Sequence, residues 1–201
     1  AVTDKLRAEN PRLAARIAPF PYPIDWALHV QAAAKSAPPA PLRIGYVGRI
    51  HPEKGLRLLL AAAARLAGRG NLPAWRLDFL GPVSVAQGGG GEAYRDALVH
   101  EFAPLLGDRL VFCPPEFDAA KLAAHYGALD VFCYPSLAEQ GETFGVAVAE
   151  AMAAGCTAVV SDLACFRQLV REGETGRVFD HRAPDADARL ADILAGLLAE
   201  A

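Results

Sequence analysis

Glu142 and Glu150 stand eight positions apart in the stretch "EQGETFGVAVAEAMAAGC" of this 201-residue chain. From Phe144 to Ala154 every residue except Glu150 is apolar or small. A helix of that composition is made for burial, and an ionised carboxylate buried without donors is costly. Glu150 therefore needs partners. Two readings are open: a basic side chain of the chain itself, or the hydroxyls of a ligand. A vicinal diol suits the second, because one carboxylate accepts two hydrogen bonds from it. A ribose presents such a diol. Upstream, the run "GRIHPEKG" from Gly48 to Gly55 places Arg49 and Lys54 beside the start of a helical segment. Two cations at a helix N-terminus suit a diphosphate, which carries roughly two negative charges. A solvated loop with a chance pair of basic residues is the plainer alternative. Glu142, just ahead of its helix, either offsets the helix dipole or meets hydroxyls attached beyond the phosphates. The amides of Thr143, Phe144 and Gly145 are expected to be unpaired first-turn donors facing the same place. Diphosphate, ribose and further hydroxyls together describe a nucleotide diphosphate-sugar.

These residues need a scaffold that brings distant loops together. From Leu42 onward, short apolar runs alternate with helical ones about six times. "RIGYVG", "WRLDFLG", "RLVFC", "DVFCYPS", "CTAVVSD" and "GRVFD" read as strands. "GLRLLLAAAARLAG", "GEAYRDALVHEFAPLL", "DAAKLAAHYGAL", "FGVAVAEAMAAG", "ACFRQLVREG" and "DADARLADILAGLLAEA" read as helices, with Asp118 capping the third and Gly155 closing the fourth. The strands are near-continuous in hydrophobicity, as when both sheet faces are covered. The pattern is an α/β, doubly wound, Rossmann-like parallel sheet. In such sheets ligands bind at the carboxyl ends of strands, where "GRIHPEKG" and "PSLAEQGETFG" fall. "GGGG" at 88–91 reads as a flexible loop; it lacks the spacing of a dinucleotide-binding turn.

Residues 1–40 look different. "TDKLRAEN" reads as a short helix capped by Thr3 or Asp4, "PRLAARIAPFPYPIDWALH" holds too many prolines for one regular element, and "QAAAKSAPPAP" reads as a linker. The hydrophobic fraction of 53% supplies a large core, and a net charge of −3 argues against a nucleic-acid surface. No apolar run is long enough for a transmembrane helix, and no signal peptide is visible. The four cysteines form no CxxC pair. Cys113 and Cys133 lie in strand runs, so buried thiols, a reducing compartment and no metal site are expected. The chain starts at Ala1 and its only methionine is Met152, which suggests a processed or excised piece.

From Leu42 to about Ala199 the chain resembles the donor-binding, C-terminal half of retaining GT-B glycosyltransferases of the family-4 type. The resemblance rests on "GRIHPEKG", "LVFCPPEFDAAKLAAHYGALDVFCYPS", the E-x7-E pair Glu142 and Glu150, "EAMAAG" followed by "AVVSD", and "GETGRVF", in that order. It implies that Gly48, Arg49 and Lys54 bind the donor diphosphate. Glu142 would meet the donor sugar at the reaction centre and Glu150 the ribose. Thr143, Phe144 and Gly145 would offer amides to sugar or phosphate. On this resemblance Glu142, Arg49 and Lys54 are the catalytic set. The donor is UDP- or GDP-linked, and neither metal nor other cofactor is needed. Pro114 replaces a common glycine in the loop that would flank the base, Gln168 a common glutamate, and Thr143 the first glycine of "GFG".

The resemblance also implies that residues 1–40 are the end of an N-terminal acceptor domain plus the interdomain linker, with 41–201 the nucleotide-sugar domain. An acceptor sugar, glycolipid or other hydroxyl compound would bind through that missing domain. The chain alone would bind donor without turning over. Such enzymes are cytoplasmic, some at the cytoplasmic face of a membrane. Two rivals are a nucleotide-sugar epimerase of the same architecture and a non-catalytic docking module. The epimerase would need acids and a histidine from the absent half. The docking module would tolerate loss of Arg49, Lys54 or either glutamate. His51, beside the phosphate loop, is a candidate general base; His125, within a helix, reads as a surface or packing residue.

Overall fold

The computed structural model describes residues 2–18, 22–33 and 41–200. The residues Ala34 to Ala40 of the expected linker lie outside the described residues. In chain order the elements are α1 (Val2–Glu9), α2 (Trp26–Ala32), β1 (Leu42–Val47), α3 (Leu56–Ala67), β2 (Trp75–Leu80) and α4 (Glu92–Leu106). There follow β3 (Leu110–Cys113), α5 (Ala119–Gly127), β4 (Val131–Tyr134), α6 (Val146–Ala153), β5 (Thr157–Ser161), β6 (Gly176–Phe179) and α7 (Ala186–Glu200). All strand pairs are parallel, in the order β3-β2-β1-β4-β5-β6. The order reverses between β1 and β4, which puts the ligand crevice of a doubly wound sheet at their carboxyl ends. This is the fold class expected from the sequence.

Helix α3 packs on both α4 and α7, and α2, α5 and α6 pack on one another, so the sheet lies between two helical layers. Helix α3 buries Leu56, Leu59, Leu60, Ala63 and Leu66, a stripe at helical spacing. It lies over a core that includes Ile44, Tyr46, Leu77 and Phe79, all fully buried. Each fully buried Leu or Phe of this kind contributes about 1.5–3 kcal/mol. Asp118 caps α5 by accepting from the Lys121 amide, and Gly155, at φ 80°, follows α6. Arg43 and Arg76, on neighbouring strands, flank Asp78 and neutralise the one fully buried acid among the described residues.

Four local expectations need correction. Helix α1 begins at Val2, so Thr3 and Asp4 lie in its first turn instead of capping it. "ACFRQLVREG" forms only a single 3-10 turn, Phe166–Gln168. Phe166 and Val170 drop into the core, and Gly173 turns the chain at φ 75° before a full helix can build. The glycine run is a fixed loop: Gly88, Gly89, Gly90 and Gly91 donate to Val85, Ser84, Ile50 and Val83 carbonyls at 2.8–2.9 Å. Its amides are thereby unavailable to a phosphate. Cys133 is buried as expected, whereas Cys113, at the end of the edge strand β3, is only half-buried.

Candidate donor site

The crevice is built by two loops. The first follows β1 and runs into α3. Its path is set by the Tyr46 hydroxyl, which donates to the Arg49 carbonyl at 2.9 Å. The Gly48 amide donates to the Leu80 carbonyl at 2.9 Å. A 3-10 turn, Pro52–Lys54, leads to Gly55, the N-cap of α3. Gly55 has φ 68°, and a Cβ there would sit 2.0 Å from the Pro135 carbonyl oxygen. Only glycine lets the two loops approach so closely. The second loop follows β4, and its Leu137 amide donates to the Glu53 carbonyl at 2.8 Å.

This stitching places Lys54 against Glu142. The Lys54 side chain is 8% exposed and that of Glu142 is 11% exposed, and their Nζ–Oε2 distance is 2.8 Å. Fully buried Ser136 donates to the same Oε2 at 2.7 Å. Lys54 Nζ also lies 5.6 Å from the centroid of the Tyr134 ring, a cation–π arrangement. Arg49 is exposed; its Nη1 donates to the Gly88 carbonyl at 3.0 Å and its Nη2 to Glu53 Oε1 at 2.5 Å. Lys54 Nζ is 3.8 Å from that same Glu53 oxygen. Arg49, Glu53, Lys54, Ser136 and Glu142 thus form one connected polar cluster at the switch point. Burial raises the Tyr134 and Tyr46 phenols well above their usual range, with Glu142 adding to both, so both stay protonated beside it.

Glu150 stands apart from this cluster. It is half-buried, not deeply sunk, and accepts from the Tyr126 hydroxyl of α5 at 3.0 Å. Among the described residues it has no arginine or lysine partner. Burial, and then the Glu150 carboxylate, hold Tyr126 well above the phenol range, so it remains a donor. Neither sequence reading foresaw a neutral protein donor; solvent reaching Glu150 supplies the rest of its solvation. The first-turn expectation for Thr143, Phe144 and Gly145 is also corrected, because α6 starts at Val146 with Gly145 as N-cap. These three amides lie just ahead of the helix, and among the described residues no acceptor takes them. Gly145 has φ 81°, and a Cβ there would approach the Phe166 ring to 2.7 Å.

His51 Nδ1 accepts the Glu53 amide at 3.3 Å, so that nitrogen organises the turn and does not face a substrate. Beyond Glu142 opens a cavity of about 500 Å³, lined by Glu139, Glu142, Asp162, Cys165, Arg167 and Arg182 among others. Glu139 is clamped by His181 Nε2 at 3.0 Å and Arg182 Nη2 at 2.7 Å. This ties the loop after β4 to the residues after β6. Sequence reasoning missed Glu53, Ser136 and Tyr126. Glu53 and Ser136 lie inside the two motifs that drew attention, and Glu53 falls four positions after Arg49. Tyr126 carries no such signal.

A sequence profile described as "Glycosyl transferases group 1" matches residues 41–200, and the chain belongs to that family. The phosphatidyl-myo-inositol mannosyltransferase of Mycolicibacterium smegmatis is 36% identical over 154 residues, which cover 76% of this chain and 35% of that protein. The chain spans about a third of the length of such curated relatives. The C-terminal domain of a Francisella tularensis group 1 glycosyl transferase, LpcC, superposes with a TM-score of 0.67 at 21% identity, covering 90% of this chain and 85% of that one. Anabaena HepE, in complex with UDP and glucose, gives a TM-score of 0.68 at 21% identity, over 90% of this chain and 47% of that one. Sequence and fold thus agree on the C-terminal domain of a GT-B glycosyltransferase.

Proposed function

We propose that this chain is the donor-binding part of a glycosyltransferase that moves a sugar from a nucleotide diphosphate-sugar to an acceptor hydroxyl, with retention at the anomeric carbon. The observation that carries the reading is the ion pair of Lys54 with Glu142, with Arg49 joined to Lys54 through Glu53, where the strand order reverses, at the N-terminus of α3. In this reading Arg49, Lys54 and the α3 dipole take the diphosphate and stabilise the charge that grows on it as the glycosidic bond breaks. Glu142 keeps Oε1 for the sugar while Lys54 and Ser136 occupy Oε2. The neighbouring cavity of about 500 Å³ has room for the sugar ring. The untaken amides of Thr143, Phe144 and Gly145 point to polar ligand atoms nearby. Glu150, oriented by Tyr126, receives the ribose diol. Gly48 lets the backbone pass close to the phosphates.

UDP in the HepE complex supports a nucleotide donor, UDP- or GDP-linked in this reading. No metal or other cofactor enters this reading. The acceptor, a sugar, glycolipid or other hydroxyl compound, would be held by a preceding domain, with residues 1–40 joining that domain to 41–201. Among the described residues no helix is long and apolar enough to cross a membrane. Calorimetry with UDP, GDP and ADP tests the proposal. Binding of at least one is expected, weakened but still measurable in Arg49→Ala and lost in Glu150→Ala with the fold intact by circular dichroism. No binding by any of the three at millimolar concentration overturns it.

A further inference from the structure

The two cations expected to meet a diphosphate are each already matched by an acid. Lys54 lies on Glu142 and Arg49 on Glu53, so two positive and two negative side chains leave the cluster neutral. An incoming diphosphate must take the place of one carboxylate, and the two differ in how firmly they are held. Glu142 is 11% exposed in its side chain, and both Lys54 and buried Ser136 donate to one of its oxygens. Freed from them it would be left desolvated, which is costly. Glu53 is 38% exposed and can trade its ion pairs for water. Arg49 would not lose its position when Glu53 leaves, since Nη1 stays on the Gly88 carbonyl at 3.0 Å and its stem packs by Gly88.

Resting on the donor-site reading above, we infer that Glu53 is a resident counter-ion that occupies the diphosphate's place on Arg49 and is displaced when donor binds. It balances the charge of Arg49 and makes the crevice neutral toward singly charged anions. Only a ligand carrying more than one negative charge, placed to reach Arg49 and Lys54 together, gains by ejecting it. The device therefore favours a diphosphate that spans both cations over chloride, and over a single phosphate group that meets only one of them.

The test is calorimetry on the whole 201-residue chain, comparing it with Glu53→Gln. The probes are the best-binding nucleoside diphosphate, its nucleoside without phosphate, and inorganic phosphate. Glu53→Gln is expected to bind the diphosphate about two- to fivefold tighter, the change reached by removing one exposed competing pair. Inorganic phosphate should compete better in the variant, and the nucleoside should not change. In an Arg49→Ala background the gain from Glu53→Gln should vanish, which a purely structural role of Glu53 would not produce. Equal or weaker diphosphate binding by a Glu53→Gln protein that melts like the parent overturns the inference while leaving the donor reading intact. If the parent chain binds none of UDP, GDP and ADP, the donor reading fails and this inference with it.

Discussion

Each acid of the Glu142–Glu150 pair is served by a neutral hydroxyl, Ser136 for the first and Tyr126 for the second. A hydroxyl donor aims a carboxylate without cancelling its charge, as at Glu150, whereas Glu142 also meets Lys54 on the same oxygen that Ser136 holds. Tyr126→Phe removes one donor and keeps the ring. A hydrogen bond to a charged group contributes about 1.5–3 kcal/mol, and the half-exposure of Glu150 places the expected loss in stability at about 1–2 kcal/mol. Urea unfolding measures it, and calorimetry should show weaker nucleotide binding by the same variant. A midpoint and an affinity both equal to the parent's would remove Tyr126 from the account.

At the scale of elements, the crevice depends on how closely the loop after β1 meets the loop after β4. Gly55→Ala would set a Cβ 2.0 Å from the Pro135 oxygen at a φ of 68°, against backbone that cannot swing aside. The expected cost is about 3 kcal/mol or more, seen as a lower melting temperature and loss of nucleotide binding together. A variant that melts like the parent would contradict the close approach. This contact also shows where sequence reasoning stops. Strands such as β1 and β2 were legible because both faces are buried and their runs are continuous. Helix α3 was legible from its leucine spacing. That Arg49, Lys54 and Glu142 would come together was legible because loops that follow neighbouring parallel strands converge at the same sheet edge. The single turn at Phe166–Gln168 was not, because its pattern suits a helix and only the pull of Phe166 into the core forbids one. Tyr126 was not, because nothing local marks which residue of α5 will face α6.

For the whole molecule, pH dependence separates two windows. His125 has its Nε2 buried with no partner among the described residues. Burial first, and Arg43 next, lower its imidazole below the ordinary 6.5. The unfolded chain takes up a proton near 6.5 that the folded chain refuses until lower pH, so stability falls as pH drops through that interval. The slope reaches at most about 1.4 kcal/mol per pH unit for one proton. His125→Gln should flatten the fall as pH drops below the ordinary imidazole range in urea unfolding; an unchanged slope would assign the loss elsewhere. Glu139, Asp162 and Asp187 have depressed carboxyls, chiefly through Arg182, Arg167 and Arg65. Their contribution is present above the ordinary carboxylate range and lost only as pH falls below it, in a separate, more acid window.

Helix α2 reaches this machinery from outside the sheet. His29 on α2 is 4% exposed and its ring lies 5.8 Å from that of Tyr126. The Ala32 carbonyl oxygen is 2.3 Å from where a Cβ of Gly127 would stand. So firm a seat packs α2 against the back of the tyrosine ring. A displacement of α2 would move Tyr126, and with it the hydroxyl that holds Glu150.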